Sequence, residues 1–126
     1  MKIVTVVGAR PQFIKAALIT EAIGRSKHLK PKIEEVLVNT GQHYDYNMSK
    51  VFFEDLNIRM PDYELNVNSP CSINQITRMM QKLKLVFKKE GPELVLVYGD
   101  TNSTLSGALA AKKLCIPICH IEAGLR

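Results

Sequence analysis

Two short runs of the chain are apolar with almost no polar alternation: Lys2-Ile-Val-Thr-Val-Val7 and Leu94-Val-Leu-Val-Tyr98. A strand with one face in water alternates, whereas a strand buried on both faces reads as a continuous run of Val, Ile and Leu. Each run leaves directly into a glycine, Gly8 or Gly99, and then into a helical pattern. Buried parallel strands need such crossovers, so the chain is restricted to an α/β fold with a parallel sheet. The first turn reads Gly8-Ala-Arg-Pro-Gln-Phe-Ile-Lys15. Gly8 frees the backbone for a tight turn, and Pro11 suits the first position of a helix, where no N–H is needed. Arg10 and Lys15 then flank the positive end of that helix, at the carboxyl end of a central strand, where open α/β sheets bind ligands. Cations there oppose the helix dipole unless an anion joins them, which points to an anion seat, most simply for a phosphate ester.

The first helix is expected from about Pro11 to Ser26, with Ile14, Ala17, Leu18 and Ala22 as its apolar stripe. Ile33 to Thr40 reads as strand two, followed by the polar, aromatic loop Gly41-Gln42-His43-Tyr44-Asp45-Tyr46-Asn47. Asn47 or Ser49 could cap a short helix through Leu56. Pro61 to Leu65 is a short third strand. Ser72 caps a long helix from Ile73 to about Lys89, with Ile73, Ile76, Met80, Leu83 and Phe87 as its stripe and Gly91-Pro92 as its stop. A further helix runs through Leu105, Ala108, Leu109 and Ala111 to Lys112 and Lys113, and Ile116 to Ile121 is the last strand. Strands alternating with helices give a doubly wound Rossmann-like parallel sheet, in the order 3-2-1-4-5 with right-handed crossovers. Strands one and four are then neighbours about 5 Å apart. On that topology Arg10, Lys15, Gln42, His43, Asp100 and Glu122 line one edge of the sheet.

Composition removes several function classes. The 126 residues are 46% hydrophobic and 23% charged, as in an ordinary globular domain with a real core. Seventeen Lys+Arg against 12 Asp+Glu give +5, but the basic residues are scattered, so the balance fits an anionic ligand and no nucleic-acid partner is expected. No apolar run nears the roughly 20 residues of a membrane span, and the chain enters a strand without a visible signal peptide. Three cysteines do not suggest a disulfide framework and fit a reducing cytoplasm. Only one glycine of a G-x-G-x-x-G pattern is present, and Asn39 stands where a ribose-binding acid is expected, so no NAD is anticipated. A P-loop sequence is missing as well. Cys115, Cys119 and His120 invite a zinc reading. Cys119 and His120 point to opposite faces of a strand, however, so no metal is expected and the cysteines read as buried small hydrophobes.

The carboxylates carry the remaining chemistry. Asp100 precedes Thr-Asn-Ser-Thr and reads either as a helix N-cap or as a cleft carboxylate. Glu122 follows a buried strand and precedes a glycine, where a carboxylate is costly unless paired or solvated, and Lys15 is its candidate partner. Gln42 and His43 are candidate ligand contacts.

Four segments together resemble the non-hydrolysing UDP-N-acetylglucosamine 2-epimerases: Val7-Gly-Ala-Arg-Pro-Gln-Phe-Ile-Lys15, Asn39-Thr-Gly-Gln-His43, Tyr98-Gly-Asp-Thr-Asn-Ser-Thr104 and His120-Ile-Glu-Ala-Gly-Leu-Arg126. The resemblance covers residues 1–126 as the first of that family's two Rossmann-like domains, which face each other as in the GT-B glycosyltransferases; the second, UDP-binding domain has no counterpart here. It implies elimination of UDP to an unsaturated 2-acetamidoglucal and its re-addition with a proton delivered to the other face of C2, without NAD or metal. Asp100 and Glu122 match carboxylates implicated in that chemistry, Lys15 an essential buried lysine, and Arg10 a diphosphate contact. It further implies a homodimer at full length, a cytoplasmic location, and no activity for the 126 residues alone. Pro70 and Asp45 stand where regulated members carry an Arg and a Gln, so activation by a second UDP-sugar is not implied. The Gly-Gln-His-Tyr-Asp-Tyr run also resembles relatives acting on UDP-diacetamido-uronic acids. A GT-B glycosyltransferase domain and a non-catalytic fragment stand as competing readings of the same sequence.

Overall fold

The computed structural model describes residues 1–25, 33–41, 54, 59–67 and 71–121, with Arg10 described for its backbone only. Five strands form one parallel sheet: β1 (Lys2–Val7), β2 (Glu34–Asn39), β3 (Tyr63–Glu64), β4 (Leu94–Tyr98) and β5 (Ile118–Ile121). Their order is β3-β2-β1-β4-β5, as the alternation of elements predicts. β1 is central, pairing Val4 with Val36 on one side and with Val95 on the other. Among the described residues, three helices cover the sheet: α1 (Arg10–Arg25), α2 (Ser72–Glu90) and α3 (Asn102–Lys113). The expected short helix before residue 57 falls outside the described residues except for Glu54, which is helical.

The two apolar strands divide their side chains between two cores, as period-two alternation requires. Val4, Val6, Val36, Val38, Val95 and Val97 pack under α2 and α3, against Met79, Leu83, Phe87 and Ala110. Ile3, Val7, Leu37, Leu96 and Tyr98 face the other way, under Phe13 and Ala16 of α1. That second core contains a carboxylate. Glu35 is buried, and it accepts hydrogen bonds from Thr5 Oγ1 at 2.7 Å and Thr20 Oγ1 at 2.8 Å, with Arg59 Nη1 at 3.3 Å. Those partners are what a buried charge needs to be tolerated. Burial pushes the Tyr98 phenol well above its usual range, with Glu35 and Cys119 adding to the effect.

The helix faces differ from the sequence reading. In α1, Ile14 and Leu18 are 49% and 71% exposed, while Gln12, Phe13 and Ala16 are buried. In α2 the buried face is Gln75, Met79, Leu83, Val86 and Phe87; Ile73 points out, and Ile76 and Met80 are half-buried. In α3, Leu105 and Leu109 are exposed and the buried face is Ser103, Thr104, Ser106, Gly107, Ala110 and Ala111. The reason is clearance. A Cβ added at Gly107 would come within 3.0 Å of Val97 Cγ1, so α3 runs too close to the sheet for large side chains. Ser72 is the first residue of α2 and Cys71 stands at its N-cap without a side-chain hydrogen bond, so Ser72 is not the cap. Gly91 ends α2 in the left-handed region at φ 58°, its N–H donating to Phe87 O at 2.9 Å, as the Gly-Pro pair predicts. The cysteines are all exposed rather than buried, because β5 is an edge strand and Cys71 and Cys115 lie in turns.

Candidate functional site

The site is built where β1, β2 and β4 end. Backbone hydrogen bonds tie neighbouring strand ends in two groups: Thr40 N–H donates to Val7 O at 2.9 Å and Val67 N–H to Thr40 O at 2.8 Å, while Gly99 N–H, after β4, donates to Ile121 O of β5 at 2.9 Å. Gly8 lies in the turn that leaves β1. Among the described residues Gly41, Gly91 and Gly99 are the glycines with positive φ, and Gly8 is not among them, so its role is not conformational freedom. It is a matter of space. A Cβ there would overlap the hydroxyl oxygens of Thr40 and Ser103, which are fully buried and hydrogen-bonded to each other at 2.7 Å. The turn leaving β1, the end of β2 and the start of α3 therefore meet at one backbone atom.

Helices α1 and α3 both begin at this edge, on opposite faces of the sheet, and neither has an acidic residue in its first turn. Their positive ends converge beside neighbouring strands, which favours an anion between them. The cap of α3 is Thr101, not Asp100. Thr101 Oγ1 accepts from Thr104 N–H at 3.4 Å, and Thr101 N–H donates to Thr104 Oγ1 at 3.2 Å, closing a reciprocal box. Thr104 Oγ1 in turn donates to Tyr98 O. The capping duty that would explain Asp100 is thus met by its neighbours, and the Asp100 carboxylate stays exposed at the edge.

Buried Gln12 joins the two turns. Its Oε1 accepts from Gly8 N–H at 2.8 Å and Ala9 N–H at 3.2 Å, and its Nε2 donates to Tyr98 O at 2.8 Å and Thr101 Oγ1 at 2.9 Å. Sequence reasoning assigned no role to Gln12, Thr40, Ser103 or Thr104. The Thr-x-x-Thr spacing was the one available signal, for the cap alone.

Of the predicted site residues, Arg10 and Asp100 sit on the exit turns of the adjacent strands β1 and β4. Lys15 is exposed rather than buried, because the inward face of α1 belongs to Gln12, Phe13 and Ala16. Gln42, His43 and Glu122 lie outside the described residues, as do Asp45 and Pro70. Asn39 is buried and serves the next strand: its Nδ2 donates to Glu64 Oε2 at 2.9 Å and its Oδ1 accepts from Gly41 N–H at 3.0 Å. Burial raises the Glu64 carboxyl above its usual range, and the hydrogen bond from Asn39 partly offsets this. Among the described residues no three His, Cys, Asp or Glu side chains gather as metal ligands, and no helix is long and apolar enough to cross a membrane.

Residues 26–126 match the family described as UDP-N-acetylglucosamine 2-epimerase. The chain is 54% identical over its whole length to 34% of the UDP-2,3-diacetamido-2,3-dideoxy-D-glucuronate 2-epimerase of Pseudomonas aeruginosa. It is 46% identical, over 99% of its length, to 32% of the UDP-N-acetylglucosamine 2-epimerase of Methanococcus maripaludis. Among solved structures, the Methanocaldococcus jannaschii UDP-GlcNAc 2-epimerase in complex with UDP-GlcNAc and UDP superposes with a TM-score of 0.85 at 43% identity, covering 100% of this chain and 33% of that one. The chain thus spans about a third of the length of the relatives it matches.

Proposed function

The chain belongs to the UDP-N-acetylglucosamine 2-epimerase family, and from that membership we propose that it forms the part of a UDP-sugar 2-epimerase that holds the sugar carbon C2 and one side of the diphosphate. The observation that carries this reading is Asp100: an exposed carboxylate without the capping role, in the exit turn of β4, the strand next to β1. In the proposed reaction a carboxylate removes the C2 proton. The electron pair forms the C1=C2 bond, and the C1–O bond to UDP breaks. UDP then adds back at C1 while a proton reaches C2 from the other face. Arg10 and the positive end of α1 meet the negative charge that grows on the departing diphosphate. Asp100 and Glu122 serve the two faces of C2, with Lys15 as their counter-charge, and Gln42 and His43 contact the substrate. This chemistry calls for neither NAD nor a metal. At full length the protein works in the cytoplasm as a homodimer without nucleic acid.

The sugar has a second reading. The 54% identity to a diacetamido-glucuronate epimerase stands beside 53% to a UDP-N-acetylglucosamine 2-epimerase homolog, so identity does not separate the two sugars and both are tested. One experiment addresses activity and sugar together. The chain replaces the aligned segment of the M. jannaschii enzyme, and each UDP-sugar is incubated with the chimera in deuterated water. Deuterium should enter C2, as read by proton NMR, and Asp100→Asn should slow its entry by about 100-fold or more. The 126-residue chain alone should turn over neither sugar. Exchange at the unsubstituted rate in Asp100→Asn, or turnover by the chain alone, would overturn the assignment.

A further inference from the structure

Gln12 is a buried side chain on α1 whose hydrogen bonds reach both exit turns. Gly8 and Ala9 present N–H groups and can only donate, whereas Tyr98 O can only accept. A single orientation of the amide therefore satisfies all of them, with Oε1 toward β1 and Nε2 toward β4. The partners lie 3 and 4 residues away on one side and 86 and 89 residues away on the other. Arg10 comes one residue after Ala9 and two before Gln12; Asp100 comes between Tyr98 and Thr101. The amide thus ties together the backbone stretches that carry the proposed diphosphate contact and the proposed base.

We propose that Gln12 is a positioning residue: its side-chain amide sets the separation of the two exit turns and couples them, so that an anion seated at the start of α1 is felt at Asp100. The proposal deepens the nucleotide-sugar reading and rests on it for the identity of the anion. In an elimination, the base must meet the C–H bond while the leaving group is held on the adjacent carbon. A displacement of about 1 Å between those two supports costs on the order of 100-fold in rate. A hydrogen-bonded amide with both ends engaged resists such a displacement; an apolar side chain of the same length fills the space and transmits nothing.

The test uses the 15N-labelled 126-residue chain and UDP as the probe. In the unsubstituted protein, saturating UDP should shift the amides of Gly8 to Arg10 and those of Gly99 to Thr101 with one apparent affinity. Gln12→Met should keep the shifts at Gly8 to Arg10 and reduce those at Gly99 to Thr101 at least about threefold. Gln12→Glu keeps the acceptor toward Gly8 and Ala9 but loses the donor toward Tyr98 O. It should give the same split and serves if the Met variant does not fold. Phe13→Leu, at the adjacent buried position, should lower the melting temperature and leave both turns responding together. Both turns responding in Gln12→Met as in the unsubstituted chain, or equal losses in Gln12→Met and Phe13→Leu, would overturn the coupling. An absence of UDP-induced shifts in the unsubstituted chain refutes the diphosphate reading alone. The coupling is then decided by the ligand-free spectra, where Gln12→Met must displace the Gly99 to Thr101 resonances more than Phe13→Leu does, and equal displacements would overturn it.

Discussion

Gly8→Ala adds a single methyl group at the point where three parts of the chain meet. Alanine is ordinarily mild at a glycine whose φ is not positive, and it even stabilises by restricting the unfolded chain. Here the expected sign is opposite. The new Cβ overlaps both the Thr40 and the Ser103 hydroxyl oxygens and comes within 3.1 Å of Ser103 Cβ. Both side chains are fully buried, so neither can swing into solvent. One hydroxyl must leave the 2.7 Å hydrogen bond they share, at a cost of about 1–2 kcal/mol. The remaining overlap is relieved by moving backbone, at about 1–3 kcal/mol. The total is about 2–5 kcal/mol, or roughly 8–20 °C in melting temperature at about 4 °C per kcal/mol for a domain of this length. Urea titration and thermal melting followed by circular dichroism measure both quantities. The control is the same substitution in a Thr40→Ala, Ser103→Ala background, where both oxygens are gone and the added methyl should cost about 1 kcal/mol or less. A Gly8→Ala variant within about 0.5 kcal/mol of the unsubstituted chain, or an equal cost in both backgrounds, would refute the steric argument.

Two further outcomes are expected. Glu64 lies exposed on the short strand β3, yet partial desolvation favours its neutral form more in the folded state than in the unfolded one. The fold is therefore favoured below the unfolded carboxyl value, and that advantage is lost as pH rises through the higher folded value. Glu64→Gln, which can still accept from Asn39 Nδ2, should melt higher than the unsubstituted chain at pH 7, and the difference should vanish in acid near pH 4, where the unfolded carboxyl itself titrates; a constant difference across a pH series of melts would contradict this. Leu18 carries the sequence-predicted stripe of α1 yet is 71% exposed, so Leu18→Ala should change stability by no more than about 0.5 kcal/mol in urea, whereas a loss of about 2 kcal/mol or more, as for a core leucine, would restore the predicted stripe.

The strands were legible because burial on both faces leaves a signature that needs no partner to interpret: the runs Ile3 to Val7 and Leu94 to Tyr98 are apolar whichever way they face. Alternation gave the parallel sheet, and the expected order 3-2-1-4-5 puts the exit turns of Arg10 and Asp100 on neighbouring strands. The helix faces were not legible, because the rule that the largest apolar residues turn inward presumes room for them. α3 approaches the sheet through Ser103, Ser106 and Gly107, and α1 turns Gln12 and Ala16 inward, leaving Leu105, Leu109, Ile14 and Leu18 outside.

The same close approach hid half of the site's architecture. A helix drawn tightly onto a strand exit brings its first turns within hydrogen-bonding reach of the neighbouring turn. The residues that exploit this are small or polar: Gln12 reaching Tyr98 O, and Ser103 reaching Thr40 across 63 residues. Such residues carry no periodicity, and the partners that give them meaning are distant in sequence. Asp100 is the instructive case. By type and position it reads equally as a cap or as a functional carboxylate, and only the box made by Thr101 and Thr104 separates the two. Once capping is assigned elsewhere, no hydrogen bond of the helix start accounts for the exposed Asp100 carboxylate. The positive ends of α1 and α3 would draw a diphosphate to this edge. On the proposed reading, base and leaving group sit on neighbouring exit turns, so their relative placement rests on what links those turns, and the Gln12 amide adds such a link beyond the pairing of β1 with β4.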